Sequence, residues 1–167
     1  MKSLFQITVL LTFSLIYGYP VSGQEKINLY GGLGLPEVLV LGARFQFDQV
    51  QLGLGIGSNI PSDLTPIFSG LSFSSDVSYH FGGISQKSDR RTWYIKGGLS
   101  KLVDLNKEPN SIPLVFYFRI GRDINLCKKL GLNIEPGIII GKKFINEMLS
   151  YNHGIAPSFG IFIFYRI

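Results

Sequence analysis

Apolar and polar residues alternate one by one along most of this chain. In the closing stretch PSFGIFIFYRI, Phe159, Ile161, Ile163, Tyr165 and Ile167 fall on one side, and Ser158, Gly160, Phe162, Phe164 and Arg166 on the other. Successive side chains of a β-strand point to opposite faces, so this period of two predicts a strand with one wholly apolar face. The same reading gives eight strands, at 26–34, 37–47, 49–58, 71–82, 93–102, 114–122, 130–141 and 157–167. In the second, Leu39, Leu41, Ala43, Phe45 and Phe47 oppose Val38, Val40, Gly42, Arg44 and Gln46. In the fourth, Leu71, Phe73, Val77, Tyr79 and Phe81 oppose Ser72, Ser74, Asp76, Ser78 and His80. The seventh is the least regular: Ile138, Ile139 and Ile140 blur its faces, and Pro136 removes a ladder donor, which predicts a bulge or local distortion.

The intervening segments alternate in length. The links at Leu35-Pro36, 59–70, 103–113 and 142–156 belong to one end of the strands, and those at Asp48, 83–92 and 123–129 to the other. Short turns at one end and longer loops at the other are the habit of outer-membrane barrels, whose turns are periplasmic and whose loops are external. The 83–92 segment, containing ISQKSDRRT, is long for such a turn. In this arrangement Phe45, Phe47, Tyr79, Phe81, Trp93 and Tyr165 all lie on apolar faces near the periplasmic strand ends, where an interfacial aromatic girdle belongs.

Composition separates a lipid-facing barrel from a soluble one. Charged residues make up 16% of the chain against about 25% in an average soluble domain, while hydrophobic residues reach 46% and aromatic residues 13%. A soluble barrel would have the same alternation with its apolar face inward. Here the polar face is crowded with small residues, among them Gly42, Gly53, Gly55, Gly57, Ser72, Ser74, Ser78, Gly98, Ser100, Gly121, Gly131 and Gly160. They suit a cramped interior and supply little charge to a solvated surface. At the N-terminus, Lys2 followed by the apolar run Leu4 to Ile16 and the small residues Val21-Ser22-Gly23 predicts a secretory signal over 1–23, with the barrel at 24–167. No later stretch is long and apolar enough for a spanning helix. The expected fold is therefore all-β: an eight-stranded, antiparallel, up-and-down transmembrane β-barrel preceded by a cleaved signal peptide.

The polar face also carries Arg44, Asp76, Lys96, Arg119 and Glu135, with His80 nearby. Alternation points them into the lumen, where charges persist only when paired. They are expected to form a salt-bridge network across it, with His80 bonding to Asp76 or to water. The net charge of +5 is mild and scattered, which suits anionic lipid and argues against a nucleic-acid site. The single cysteine, Cys127, permits no internal disulfide and is expected as a small buried or lipid-facing residue.

The signal, the amphipathic strands and the terminal FGIFIFYRI resemble the small outer-membrane β-barrel family, of OmpA/OmpX-like transmembrane architecture. The resemblance implies a bacterial outer-membrane location, with lipid and lipopolysaccharide as surroundings. It also implies that Phe159, Ile161, Ile163, Tyr165 and Ile167 form a signal for the barrel-assembly machinery, with Ile167 standing where Phe is more usual. The family spans structural anchors, adhesion or resistance factors, small pores and a few lipid A-modifying enzymes, so it implies place more than activity.

Chemistry is sparse. His153 has Glu147, Ser150 and Ser158 in its sequence neighbourhood, a weak echo of a nucleophilic triad. Asp63, Asp104 and Glu108 are too dispersed to suggest calcium. The GLGIG stretch at 53–57 lies within a strand and lacks the following helix that a dinucleotide fingerprint requires. No catalytic, cofactor or metal residue is expected. Lys107, Lys142 and Lys143 are candidates for lipopolysaccharide phosphates, and the long loops for an external ligand. The reading is a non-enzymatic structural or surface-interaction barrel, with a narrow pore as the alternative and a lipid A-modifying enzyme as the less favoured third.

Overall fold

The computed structural model describes residues 26–58, 70–88, 90–104, 114–141 and 154–167. Their backbone forms eight strands: β1 Ile27–Gly34, β2 Leu39–Phe47, β3 Val50–Ser58, β4 Gly70–Gly82, β5 Trp93–Asp104, β6 Leu114–Asn125, β7 Leu130–Ile140 and β8 Ile155–Arg166. Each pairs antiparallel with its sequence neighbour, and β8 returns to β1, closing the barrel. Closure gives every strand two partners, so the wall has no open edge of unpaired amides.

The wall is inside-out relative to a soluble protein. Leu41, Leu54, Phe73, Ile95, Phe118 and Ile163 each leave more than half of their surface exposed on the outer face. Their strand neighbours Arg44, Asp76, Lys96, Arg119, Glu135 and Arg166 are buried in the lumen. A water-soluble monomer rarely exposes a contiguous apolar patch beyond about 300–600 Å². An apolar band around the whole circumference is the surface of a transmembrane barrel.

Local chemistry fixes the ends. Between β2 and β3 the chain reverses at Asp48-Gln49, with Asp48 at φ 51°, a region that Asp tolerates better than most residues. Of the two outcomes expected at Pro136, a bulge or a local distortion, the second is found. Pairing of β7 with β6 lapses between Gly137 and Ile134, but it resumes in the same register, and β7 stays paired to β8 throughout. Proline costs a donor there without inserting a residue. The register shift lies instead between β4 and β5, at His80/Gly82, where the long 83–92 segment begins. In the Ile138-Ile139-Ile140 run, Ile139 alone is fully buried, packing with Val115, Tyr117 and Ala156. Cys127, expected to be buried or lipid-facing, is exposed in the 126–129 turn.

Candidate functional site

Five large aromatic side chains enter the lumen: Tyr30, Tyr94, Tyr117, Phe162 and Phe164. Each stands directly across from a glycine on the adjoining strand. The pairs are Tyr30 with Gly42, Tyr94 with Gly121, Tyr117 with Gly98, Phe162 with Gly32 and Phe164 with Gly131. A Cβ placed on Gly121 or Gly98 would come within 2.2 Å of the Tyr94 ring or 2.3 Å of the Tyr117 ring. The glycines are therefore slots into which the rings lie flat against the wall. Alternation alone places the small residues and the Phe162 and Phe164 rings on the inward side, but it does not show that Tyr30, Tyr94 and Tyr117 join them or that each ring lies against a glycine. The cross-strand register, invisible before the strands are aligned, is the signal that joins them.

At mid-lumen, Glu135 is fully buried and is the hub for three cations. Its Oε1 accepts hydrogen bonds from Lys96 Nζ, from Tyr94 Oη at 2.6 Å and from Arg44 Nη2 at 3.4 Å, and its Oε2 accepts one from Arg119 Nη1 at 3.1 Å. The cations need further stabilisation beyond one carboxylate, and the rings provide some of it. The Arg44 guanidinium lies 4.1 Å from the Tyr30 centroid, that of Arg119 4.5 Å from Tyr117, and Lys96 Nζ 5.5 Å from Phe162. Arg119 extends toward the loop end, donating to Ser158 Oγ at 3.0 Å and to the Leu35 carbonyl. Ser158, grouped in sequence with His153, is thus an inward strand residue whose hydroxyl also donates to Leu35 at 2.8 Å.

A second cluster closes the turn end. Arg90, from the 83–92 segment, donates to Asp123 through Nε at 3.0 Å and again through Nη2, and to Gln46 Oε1 at 2.9 Å. Asn133 joins the two clusters, donating to Asp123 at 2.5 Å and accepting from Arg44 Nη1 at 2.8 Å. Arg166 lies 3.9 Å from Asp123 and 4.7 Å from the Phe164 centroid. Lys87 Nζ donates to the Leu126 carbonyl at 2.7 Å, and Asn125 Nδ2 to Ser85 Oγ at 2.9 Å, fastening the long turn beneath the barrel. The unusual length of 83–92 therefore has a structural use: it carries Arg90 back into the mouth. Arg90 and Asp123 were not among the anticipated charges, because both fall in links outside the expected strands; alternation puts Arg166 on the inward side of the last strand but does not join it to the network.

Of the six expected network residues, the structure brings together Arg44, Lys96, Arg119 and Glu135. His80 lies elsewhere: its ring nitrogens are 2.7 Å from the Arg91 carbonyl and 3.3 Å from Gln51 Oε1, and neither reaches Asp76. Asp76 also stands apart, flanked across the strands by Gly53 and Gly98, with its Oδ1 buried and unpartnered among the described residues. Both neighbours lack side chains to reach it. The hydroxyls of Ser72, Ser78 and Ser100 on the same wall are similarly unpartnered. Phe45, Phe47, Tyr79, Phe81, Trp93 and Tyr165 all face outward and are exposed, toward the end that holds the turns 48–49, 83–92 and 126–129. Phe159, Ile161, Ile163, Tyr165 and Ile167 are exposed on the outer face at β8 and its end. His153, Glu147, Ser150, Asp63, Glu108, Lys107, Lys142, Lys143 and the 1–23 segment lie outside the described residues. Among the described residues no group of three or more His, Cys, Asp or Glu side chains converges to hold a metal ion.

No family model and no curated protein matches the chain. Among solved structures, it is similar to the crystal structure of the N-terminal β-barrel domain of Pseudomonas aeruginosa OprF, at 17% identity and a TM-score of 0.47, over 84% of this chain and 95% of that one. It is also similar to the solution NMR structure of the de novo designed TMB2.3, at 12% identity and a TM-score of 0.45, over 89% and 98% of the two chains.

Proposed function

We propose that this protein is a bacterial outer-membrane barrel with a non-enzymatic, structural or surface-interaction role, exported by the 1–23 signal and inserted by the barrel-assembly machinery. The observation that carries the reading is the inverted wall: a closed apolar circumference around a lumen filled by ion pairs and rings. Such a wall requires lipid, and a lumen crossed by the Glu135 and Asp123 clusters suits a rigid stave-like anchor. On this reading the turn end is periplasmic, and the segments 59–70, 103–113 and 142–156 present any ligand-binding surface to the outside, beside lipopolysaccharide. Heat-modifiable gel migration and recovery from the outer-membrane fraction are expected. A mature chain that stays soluble in the periplasm without detergent would sink the proposal.

A narrow pore is the second reading, favoured by the strip of unpartnered Ser72, Asp76, Ser78 and Ser100 along one side of the lumen. Planar bilayers distinguish the two. The anchor reading predicts silence from the native protein, with a current opened only by Lys96→Ala marking a plugged lumen, whereas stepwise conductance from the native protein would support the pore. Expression should leave the lipid A mass spectrum unchanged; a new lipid A species would replace both readings with an enzymatic one.

A further inference from the structure

The turn end carries a one-sided excess of exposed charge. Lys26, Lys87, Arg91, Arg122, Lys128 and Lys129 are exposed there, against the exposed acid Asp48 among the described residues. What makes this more than a solvated rim is where the arginines sit. Arg122 is on the outer wall of β6, directly across from Trp93 on β5, with its guanidinium 5.2 Å from the indole ring. Stacking on an aromatic face orients the guanidinium while leaving its N–H edge available to an anion. Arg91, two residues before Trp93, is held on the β4 side of it by donating to the Phe81 carbonyl at 2.8 Å. Ile84 in the same turn is 98% exposed, an apolar tip beside the Phe81 and Trp93 belt.

We propose that Arg91, Arg122 and Trp93 form a binding site for the phosphate headgroup of an anionic phospholipid of the phosphatidylglycerol class. The cations lie beside the apolar belt and not on the end cap, so the anions at their level are lipid phosphates. The guanidinium groups hold the phosphate oxygens, and Trp93 sits at the glycerol level, where amphipathic rings settle. Lys129, 5.9 Å from the Tyr165 ring, extends the same chemistry around the rim. The inference rests on the membrane reading above and adds a lipid preference to it.

Trp93 is the only tryptophan in the chain, so its fluorescence reports this site directly. The protein is reconstituted in mixed bilayers in which either phosphatidylglycerol or phosphatidylcholine carries brominated chains, and quenching of Trp93 gives the relative binding constant of the two lipids. Each basic residue at an anionic surface is worth about fivefold in affinity, so a preference of roughly fivefold or more for phosphatidylglycerol is expected at low salt. It should fall to near unity in R91Q/R122Q, with heat-modifiable migration retained as proof of folding. It should stay unchanged in K101Q, which removes an exposed cation from the loop-end half of β5. A native preference near unity, or one that survives R91Q/R122Q, overturns the inference while leaving the membrane reading intact. Absence of quenching by either lipid overturns both.

Discussion

The two buried mid-lumen carboxylates, Glu135 on β7 and Asp76 on β4, sit on unlike walls. Glu135 also faces a glycine, Gly160, on the neighbouring β8, yet the carboxylate is met by Lys96 and Tyr94 from β5, Arg44 from β2 and Arg119 from β6, which reach into the lumen. Around Asp76 the adjoining strands present glycine, and its own strand presents serine. The same residue chemistry, a buried acid, is therefore a hydrogen-bonded hub on one wall, while on the other it acts on Arg44 and Lys96 only through space. Burial alone does not make a charge part of a network. What matters is which long side chains reach the acid through the lumen, and for Glu135 most of these come from strands beyond its immediate neighbours.

Substitutions at these positions break or sharpen the contrast. Glu135→Gln should have the largest effect, because it leaves three buried cations without their common counter-ion; breaking a buried ion pair typically costs about 3–5 kcal/mol. Urea unfolding in detergent micelles measures it. Arg90→Ala should cost about 2–3 kcal/mol through lost charge-assisted bonds to Asp123, with Arg166 moderating the loss, and should make the 83–92 turn cleavable by trypsin. Gly98→Ala should cost about 1–3 kcal/mol by driving a methyl group into the Tyr117 ring, which a downward shift of the unfolding midpoint would register. Asp76→Asn should have the smallest effect, a loss of about 1 kcal/mol, since Asp76 helps to balance Arg44 and Lys96 through space but its Oδ1 has no hydrogen-bond partner among the described residues. Equal losses for Asp76→Asn and Glu135→Gln would abolish the distinction between the walls.

Much of this architecture could be read before any strand was placed in space. Alternation in β3, β4 and β8 is nearly uninterrupted, and a period of two states directly which residues share a face. The strand ends differ by up to three residues, chiefly because β5 and β6 continue into their links. The lumen was legible only in outline. Inwardness is a property of one strand, whereas partnership is a property of two or more. Arg44 reaches Glu135 across 91 residues of sequence, and Asp76 fails to reach His80 four positions away on its own strand. Nor does any local pattern announce that Gly98 makes room for Tyr117, or that Arg90 folds back from a turn.

The seam between β1 and β8 has a consequence for the order of events in folding. Ile27–Gly34 is the first strand of the barrel, yet one of its two partners is Ile155–Arg166, the last. Until that final segment arrives, β1 and β7 both end in rows of unpaired amides, which are costly in lipid and adhesive in water. Hairpins β1–β2 through β6–β7 form from near neighbours, but the ring is completed by the contact with the longest sequence separation, the slowest kind to find. The protein therefore has no partly finished membrane state of low free energy. Loss of β8 should remove the whole barrel, not shorten it by one strand.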